Sequence, residues 1–233
     1  MVSRRLILDF SGTLVDMGER QYLAYLDALS HVKYDRQLVN AMSKSDFRIA
    51  KQSLTSQEFI ALKSGLKQVQ IDGFIRFQKQ VVNLPLYMKN DQLFPETTDA
   101  LKMANDAGMD LVLLTMRRES ELELAFENTL TKSYFQESNI YCLSNDYQKN
   151  SDSHDKTLLL EKALFELPPV SETWMIGDTE ADILAAKMNN IKVIAVLSGS
   201  RNYERLKIYE PNFIANNILE AVKFILTPSQ GLG

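Results

Sequence analysis

Short runs of consecutive apolar residues recur along this chain and alternate with stretches whose apolar residues follow the helical period. The runs are apolar on both faces, as strands of a parallel, helix-covered sheet must be. Strands that alternate with helices predict βαβ crossovers, and hence an α/β fold built on a doubly wound parallel sheet. The predicted strands are residues 5–9, 110–115, 172–176 and 192–196, with a weaker candidate at 139–143, and the predicted helices are 96–107, 119–130, 157–167 and 181–189.

The stretch from residue 17 to residue 92 interrupts this alternation. Its apolar residues recur at helical spacing, and it contains no strand run. The pattern predicts a small all-helical domain inserted after the first strand, with residues 1–16 and 93–233 forming the α/β domain. Residues 144–155 are the most polar stretch and predict a surface loop.

The charge balance excludes several classes of function. The 233 residues carry 26 Lys and Arg against 30 Asp and Glu, a net charge of −4, so no basic excess is present to neutralise a nucleic-acid backbone. Cys142 is the single cysteine, which excludes an internal disulfide and cysteine-rich zinc sites. No stretch approaches the ~20 apolar residues of a membrane span, and the apolar run at residues 6–8 is short for an export signal. We therefore expect a cytoplasmic monomer or weak homodimer that binds neither nucleic acid nor membrane.

An acidic segment directly follows the first predicted strand. Asp9 opens the segment 9–16, DFSGTLVD, in which Gly12 and Thr13 provide a tight turn with backbone N–H groups for an anion. A carboxylate beside a buried strand costs desolvation energy unless a cation or hydrogen-bond donors compensate it. The same composition is also common in turns and helix caps. Taken alone, the segment fits a turn and a functional site equally well.

Two further strand ends carry polar residues. Thr115 ends the second strand, and its hydroxyl can hold a phosphate oxygen or cap the next helix. Asp178 and Asp182 lie four residues apart where a helix begins, so they can share a face or serve as cap and first-turn acid. Because the carboxyl ends of parallel strands meet at one edge, a common site is the simpler explanation. Arg117 and Arg118 either reach a substrate anion or belong to a solvated helix start.

Segments 9–16 and 177–182, together with Thr115 and Lys156, resemble in order and spacing the four motifs of the haloacid dehalogenase-like superfamily. The resemblance spans nearly the whole chain, and the helical insert resembles the C1-type cap of that superfamily. It implies a Rossmann-like core and a Mg²⁺-dependent hydrolase of the phosphatase type that acts on a small phosphorylated metabolite. The single motifs are common, whereas the ordered set is specific.

The resemblance also implies a role for each motif residue. Asp9 would be the nucleophile that forms an aspartyl-phosphate, and Lys156 would neutralise charge on Asp9 and on the phosphoryl group. Asp178 would bind Mg²⁺ with the Asp9 carboxylate and the Ser11 backbone carbonyl. Asp182 would either contact the ion or support its ligands from behind. The phosphoryl oxygens would contact Gly12, Thr115, Met116 and Lys156.

Ser11 departs from the pattern of the superfamily's phosphatases, which have an aspartate two residues after the nucleophile as general acid and base. A serine hydroxyl is a poor acid, and general acid–base catalysis contributes about 10²–10⁴-fold, so we expect slow ester hydrolysis. Ser11→Asp is then expected to raise turnover, more for alkyl than for aryl phosphates. His154, two residues before Lys156, is a candidate substitute acid, although a solvated loop histidine is the simpler interpretation.

Three functions remain open from the sequence. The first is a slow Mg²⁺-dependent phosphohydrolase or phosphoryl-transfer enzyme that uses Asp9. The second is a catalytically weak domain that binds a phosphorylated ligand or a protein partner. The third is a phosphonatase that hydrolyses a C–P bond, for which Lys33 is the nearest candidate for the cap lysine such enzymes require. Dehalogenase chemistry is disfavoured because it needs no Mg²⁺ and does not pair metal-binding acids with a phosphate-binding threonine. The superfamily's transport ATPases are excluded because they span membranes, and this sequence has no membrane span.

Overall fold

The computed structural model describes residues 4–227. The chain divides into two compact units. Met1–Asp16 and Leu93–Gly233 form the first, termed the core unit, and Met17–Gln92 form the second, termed the inserted unit. Short paired strands lie where the chain passes from one unit to the other. The insertion begins directly after the first of these two short strands, at Met17.

A parallel sheet forms the centre of the core unit. Across the described residues, the strands are β1 (Arg4–Leu8), β2 (Val15–Asp16), β3 (Gln92–Leu93), β4 (Asp110–Arg118), β5 (Ile140–Leu143), β6 (Glu172–Gly177), β7 (Lys192–Val196) and β8 (Phe213–Ala215). Strands β2 and β3 pair with each other, and the other six form one sheet in the order β5-β4-β1-β6-β7-β8. Leu8 of β1 pairs with Leu113 on one side and with Ile176 on the other. The predicted α/β fold is confirmed.

Helices account for most of the remaining chain between residues 4 and 227. Those of the inserted unit are α1 (Gly18–Val32), α2 (Lys44–Gln52), α3 (Gln57–Lys63), α4 (Ile71–Val81) and α5 (Pro85–Met88). Those of the core unit are α6 (Thr97–Asp106), α7 (Glu119–Thr129), α8 (Asp152–Glu166), α9 (Glu180–Met188), α10 (Tyr203–Lys207) and α11 (Ile218–Leu226). None of these described helices combines the length and the apolar character that a bilayer crossing requires.

Side chains of β1 alternate between two apolar layers. Leu6 and Leu8 are fully buried in the layer that also contains residues of α6, α7 and α11. Ile7 is fully buried in the opposite layer, with residues of α8 and α9. Because both faces of the sheet are covered by helices, we expect polar side chains with chemical roles at the ends of the strands.

The inserted unit has an aromatic core of its own. Tyr25 is fully buried; its ring stacks on Phe47 with 4.7 Å between centroids and meets Phe74 edge-on at 6.2 Å. The Tyr25 hydroxyl is hydrogen-bonded to Ser64 Oγ at 2.7 Å, which satisfies both buried oxygens. The helical spacing of the apolar residues in the sequence reflects this packing.

Two sequence-based boundaries are wrong. Helix α8 begins at Asp152, so residues 152–155 of the predicted loop form its first turn, and Ser151 Oγ accepts a hydrogen bond from the His154 N–H as the helix cap. Strand β4 runs on to Arg118, so Thr115 lies inside the strand and not at its end. The polar composition of an N-terminal turn resembles a loop, which explains the first error. Strand β8 and helices α10 and α11 were not predicted.

Candidate active site

Asp9 follows β1 at the carboxyl edge of the sheet, at the start of a tight turn. Its N–H donates to the Ile176 carbonyl at 2.9 Å, which extends the pairing of β1 with β6 by one residue. The N–H groups of Leu14 and Val15 both donate to the Phe10 carbonyl at 3.0 Å, so the chain reverses direction within this segment. The carboxylate of Asp9 is therefore held at the end of a buried strand.

Carboxylates from three elements converge at this edge. Asp9, Asp178 and Asp182 are buried, and each offers an oxygen within 4.8 Å of the others. Asp178 directly follows β6, and Asp182 lies in the first turn of α9. Asp182 Oδ2 accepts hydrogen bonds from the Thr179 N–H at 3.0 Å and from the Thr179 hydroxyl at 2.7 Å. This capping box starts α9 and orients Asp182 towards the cluster.

Lys156 supplies positive charge to the cluster. It lies in the second turn of α8 and is 3% exposed. Its Nζ donates to Asp9 Oδ1 at 2.7 Å and lies 2.5 Å from Asp182 Oδ1. A buried ammonium group is tolerated only when it is paired, so these carboxylates explain how a lysine occupies this position.

Burial and neighbouring charges both shift the pKa values of the cluster. Burial raises the pKa of Asp9 from 3.8 to about 8, against the lowering effect of Lys156, and the charges of Asp182 and Asp178 add to the rise. Burial and then the charge of Asp182 raise the pKa of Asp178 to about 6. Burial lowers the pKa of Lys156, but Asp182 and Asp9 outweigh it, so the pKa lies above its ordinary value. Fully ionised, the three carboxylates and one ammonium leave an excess of negative charge that a divalent cation can offset.

The donor set of the cluster fits Mg²⁺. Asp178 Oδ1 is buried and accepts no hydrogen bond from any residue between 4 and 227, whereas Oδ2 accepts the Ser200 N–H at 2.6 Å. A buried carboxylate oxygen without a donor is costly unless a cation contacts it. Carboxylate oxygens completed by water and phosphate are ligands that Mg²⁺ prefers. Asp9 and Asp178 therefore fit as metal ligands, whereas both oxygens of Asp182 already face other groups.

Glycines leave room for the Asp178 carboxylate. A Cβ on Gly12 or on Gly199 would lie 2.1 Å from Asp178 Oδ2, far inside contact distance. Gly12 also has a φ of +87°, which residues with a side chain rarely adopt. Its N–H donates to the Val15 carbonyl at 2.8 Å. Gly12 thus provides space and turn geometry, and the expected phosphate contact would have to replace an existing hydrogen bond.

Gly199→Ala is expected to displace the Asp178 carboxylate and to weaken Mg²⁺ binding by about 10-fold or more, as changes next to metal ligands do. Titration calorimetry measures the affinity. Gly73→Ala in α4 is the matched control, because its Cβ would meet Val32 Cγ1 at 3.4 Å. Equal Mg²⁺ affinities in the two variants would contradict a metal site at Asp178.

Ser11 contacts a buried arginine. Arg117 Nε donates to Ser11 Oγ at 2.8 Å, and the Arg117 N–H donates to Thr115 Oγ1 at 3.3 Å. The Arg117 guanidinium lies over the Phe10 ring, 5.0 Å from its centroid. Arg117 is 5% exposed, so its interpretation as part of a solvated helix start is wrong. The arginine connects the turn after β1 with the end of β4.

The remaining candidate residues differ in their burial and in their positions within the helices and strands. Met116 is half-buried within β4. His154 is exposed in the first turn of α8, about 200° around the helix from Lys156, so the two side chains do not share a face. Arg118 is the N-cap residue of α7, and Lys33 is an exposed residue at the end of α1 in the inserted unit. The predicted loop histidine is therefore a helical one.

The loop after β7 is the part of the site that the sequence reasoning missed. Its Ser200 N–H donates to Asp178, and Ser198 Oγ donates to the Gly12 carbonyl at 3.1 Å. The rule that selected Asp9, polar residues directly after a buried strand, applies equally to this loop. The polar residues that follow the apolar run 192–196 could have identified this loop, but none of residues 197–202 is a carboxylate.

Comparison with known proteins gives the family. Residues 4–190 match the model of the haloacid dehalogenase-like hydrolase family. The chain belongs to this family, as the order of its four motifs indicates.

The chain has low sequence identity to characterised proteins and to solved structures. The pyrophosphatase PpaX of Anoxybacillus flavithermus is 20% identical over 226 residues, which cover 94% of this chain and 95% of that protein. A phosphoglycolate phosphatase of Vibrio vulnificus is 26% identical over 140 residues, 59% of this chain and 58% of that protein. A solved haloacid dehalogenase-like family hydrolase from Streptococcus pneumoniae has a TM-score of 0.66 at 21% identity, covering 96% of this chain and 98% of its own. This structural likeness shows the fold.

Proposed function

We propose that the chain is a Mg²⁺-dependent phosphohydrolase that acts on a small phosphorylated metabolite through an aspartyl-phosphate on Asp9. The observation that carries this proposal is the placement of Asp9, which contacts Lys156 at 2.7 Å and shares a buried cluster with Asp178. A carboxylate in that setting can attack phosphorus while neighbouring positive charge stabilises the transferring group. The names of the relatives, a pyrophosphatase and a phosphoglycolate phosphatase, support a phosphoric anhydride or ester as substrate.

Each residue of the site has a task in this proposal. Asp9 attacks phosphorus, and Lys156 holds the other side of its carboxylate and offsets charge on the phosphoryl group. Mg²⁺, held by Asp9, Asp178 and the Ser11 carbonyl, would supply further positive charge to the phosphoryl oxygens. The buried Thr115 hydroxyl would donate to one of those oxygens. The inserted unit would correspond to the helical cap that the resemblance implies.

Hydrolysis of p-nitrophenyl phosphate by the full chain, with Mg²⁺ or with EDTA, tests the proposal. This leaving group needs little protonation, so the absence of a carboxylate at Ser11 should not prevent turnover. We expect turnover that requires Mg²⁺. Phosphate binding without turnover would favour the alternative of a catalytically weak binding domain. Cleavage of a phosphonate that depends on Lys33 would favour the phosphonatase.

Asp178→Asn is expected to remove most of the rise in melting temperature that Mg²⁺ produces. A ligand of the folded state stabilises by mass action, about 2.7 kcal/mol at 100 times its Kd. Because burial raises the pKa values of Asp9 and Asp178, protons compete with the ion, and the rise should be larger near about pH 8 than near about pH 5.5. Scanning fluorimetry measures both effects. Asp99→Asn, at an exposed position of α6, is the control, and an unchanged rise in Asp178→Asn would place the ion elsewhere.

A further inference from the structure

The side chains of Ser11 and Arg117 form a pair to which the proposed function gives no chemical task. The Arg117 guanidinium donates from Nε to Ser11 Oγ at 2.8 Å and lies over the ring of Phe10, 5.0 Å from its centroid. The backbone N–H of the same residue donates to Thr115 Oγ1 at 3.3 Å. Arg117 is buried. A permanent cation is therefore fixed against the side chain that lies two residues after Asp9.

The chemistry that this pair can supply is positive charge and not a proton. A guanidinium does not lose its proton in proteins, and a serine hydroxyl is a poor acid at neutral pH. A guanidinium does bind phosphate oxygens well, because its planar donors match two of them at once. The positive charge of Arg117 would stabilise a leaving oxygen that departs as an anion. An alkoxide would still lack the proton that it needs.

We propose that Ser11 and Arg117 make this enzyme selective for substrates whose leaving group departs as a stable oxyanion, and that its substrate class is a phosphoric anhydride and not an alkyl phosphate ester. The inference rests on the proposed function, since it assumes attack by Asp9. The second pKa of a phosphate monoester is about 6, so a phosphate that leaves with one substituent or one proton already attached is a stable oxyanion near neutral pH. Arg117 offsets its charge, and Ser11 orients the guanidinium.

The proposed reaction balances without a protein acid. An Asp9 carboxylate oxygen bonds to phosphorus, and the bond from phosphorus to the bridging oxygen breaks. Its electron pair departs with the leaving phosphate, which is HPO₄²⁻ when the substrate is the singly protonated pyrophosphate HP₂O₇³⁻. Water then bonds to the phosphorus of the aspartyl-phosphate, and the bond from phosphorus to Asp9 breaks. Both hydrogens of that water remain on the product, H₂PO₄⁻, and Asp9 returns as a carboxylate.

Leaving-group selectivity of the wild-type chain is the first test. We expect kcat/KM for inorganic pyrophosphate to exceed that for propyl phosphate by about 10²-fold or more, the typical contribution of a missing general acid. Arg117→Met should lower kcat/KM for pyrophosphate by about 10²-fold, as loss of an electrostatic donor does, and should affect p-nitrophenyl phosphate less. Arg117→Lys should recover part of the loss because it keeps the charge. Arg118→Met, one residue away, is the matched control.

The structure also changes the expectation for Ser11→Asp. A carboxylate at this position would pair with the Arg117 guanidinium and stay ionised, so it would be a poor acid. The single variant should therefore gain little with propyl phosphate. Ser11→Asp combined with Arg117→Met should gain about 10²-fold with that substrate.

Contrary outcomes separate this inference from the proposed function. Propyl phosphate hydrolysed as fast as pyrophosphate by the wild-type chain would overturn the inference, and so would equal losses on all three substrates in Arg117→Met. Both results would leave the proposed function standing if Asp9→Asn is inactive. Turnover that survives Asp9→Asn would instead overturn the proposed function. If Arg117→Met does not fold, the inference is still tested by the wild-type ratio of kcat/KM for pyrophosphate to that for propyl phosphate, and by the activity of Arg117→Lys.

Discussion

Asp9→Asn is expected to lower kcat by about 10⁴-fold or more on every substrate that the wild-type chain hydrolyses, because removing a nucleophile removes the covalent step. The asparagine side chain has nearly the same shape, so the turn after β1 should remain intact. The variant also removes one of the charges buried with Asp178 and Asp182. We therefore expect its melting temperature without Mg²⁺ to be no lower than that of the wild-type chain.

Steady-state kinetics with p-nitrophenyl phosphate and pyrophosphate measure this loss. Asp106→Asn, at the exposed end of α6, controls for the change of charge. Comparable activity in Asp9→Asn and in the wild-type chain would show that another group attacks phosphorus.

Lys156→Met is expected to lower the free energy of unfolding in EDTA by about 3–5 kcal/mol, the usual cost of removing one partner of a buried ion pair. Lys156 lies between Asp9 at 2.7 Å and Asp182 at 2.5 Å, so its loss removes the cation that pairs with both carboxylates. Mg²⁺ should restore part of the stability, since it supplies positive charge to the same cluster. Activity should be lost as well, because Lys156 holds the nucleophile.

Urea unfolding measures the stability change. Lys162→Met is the matched control in the same helix, because the Lys162 side chain is 62% exposed and its ion pair, with Glu166 at 3.9 Å, is exposed too. Exposed pairs of this kind contribute little. A loss of stability no larger than that of Lys162→Met would contradict the buried pairing of Lys156.

The destabilisation in Lys156→Met should depend on pH. The pKa of Asp9 rises from 3.8 to about 8 on folding, so between these values the folded state binds more protons than the unfolded state. The contribution of Asp9 to stability in EDTA should then fall as the pH increases from about 4 to about 8. Lys156 lowers the pKa of Asp9, so its removal should extend this fall to higher pH and enlarge the total loss of stability. Unfolding curves at about pH 5.5 and about pH 8 check the sign, and a variant that gains stability with pH would contradict it.

The fold could be predicted from the sequence because its signals are local. Strands buried on both faces need continuous apolar runs, and β1, with Leu6 and Leu8 in one layer and Ile7 in the other, shows why. The boundary errors have a local cause too. The polar first turn of α8 and the extension of β4 beyond Thr115 depend on capping and on pairing with β5, and composition does not report either.

The candidate site was predictable in part for a similar reason. Asp9 and Asp178 follow buried strands, and parallel strands bring such positions to one edge whatever their order. The burial of Lys156 could not be predicted from the sequence. A lysine is buried only where carboxylates pair with it, and these carboxylates come from distant parts of the chain.

The sequence by itself determined the α/β class, the helical insert and the set of acidic residues at strand ends, since each depends on residues that are neighbours in the chain. The tertiary structure alone decided that Arg117 contacts Ser11 and that Gly199 lies against Asp178. These contacts join residues far apart in the sequence, and they exist because β4 and β6 both pair with β1 and β7 pairs with β6. Strand order is set by the packing of the whole core unit, and no local pattern of residues encodes it.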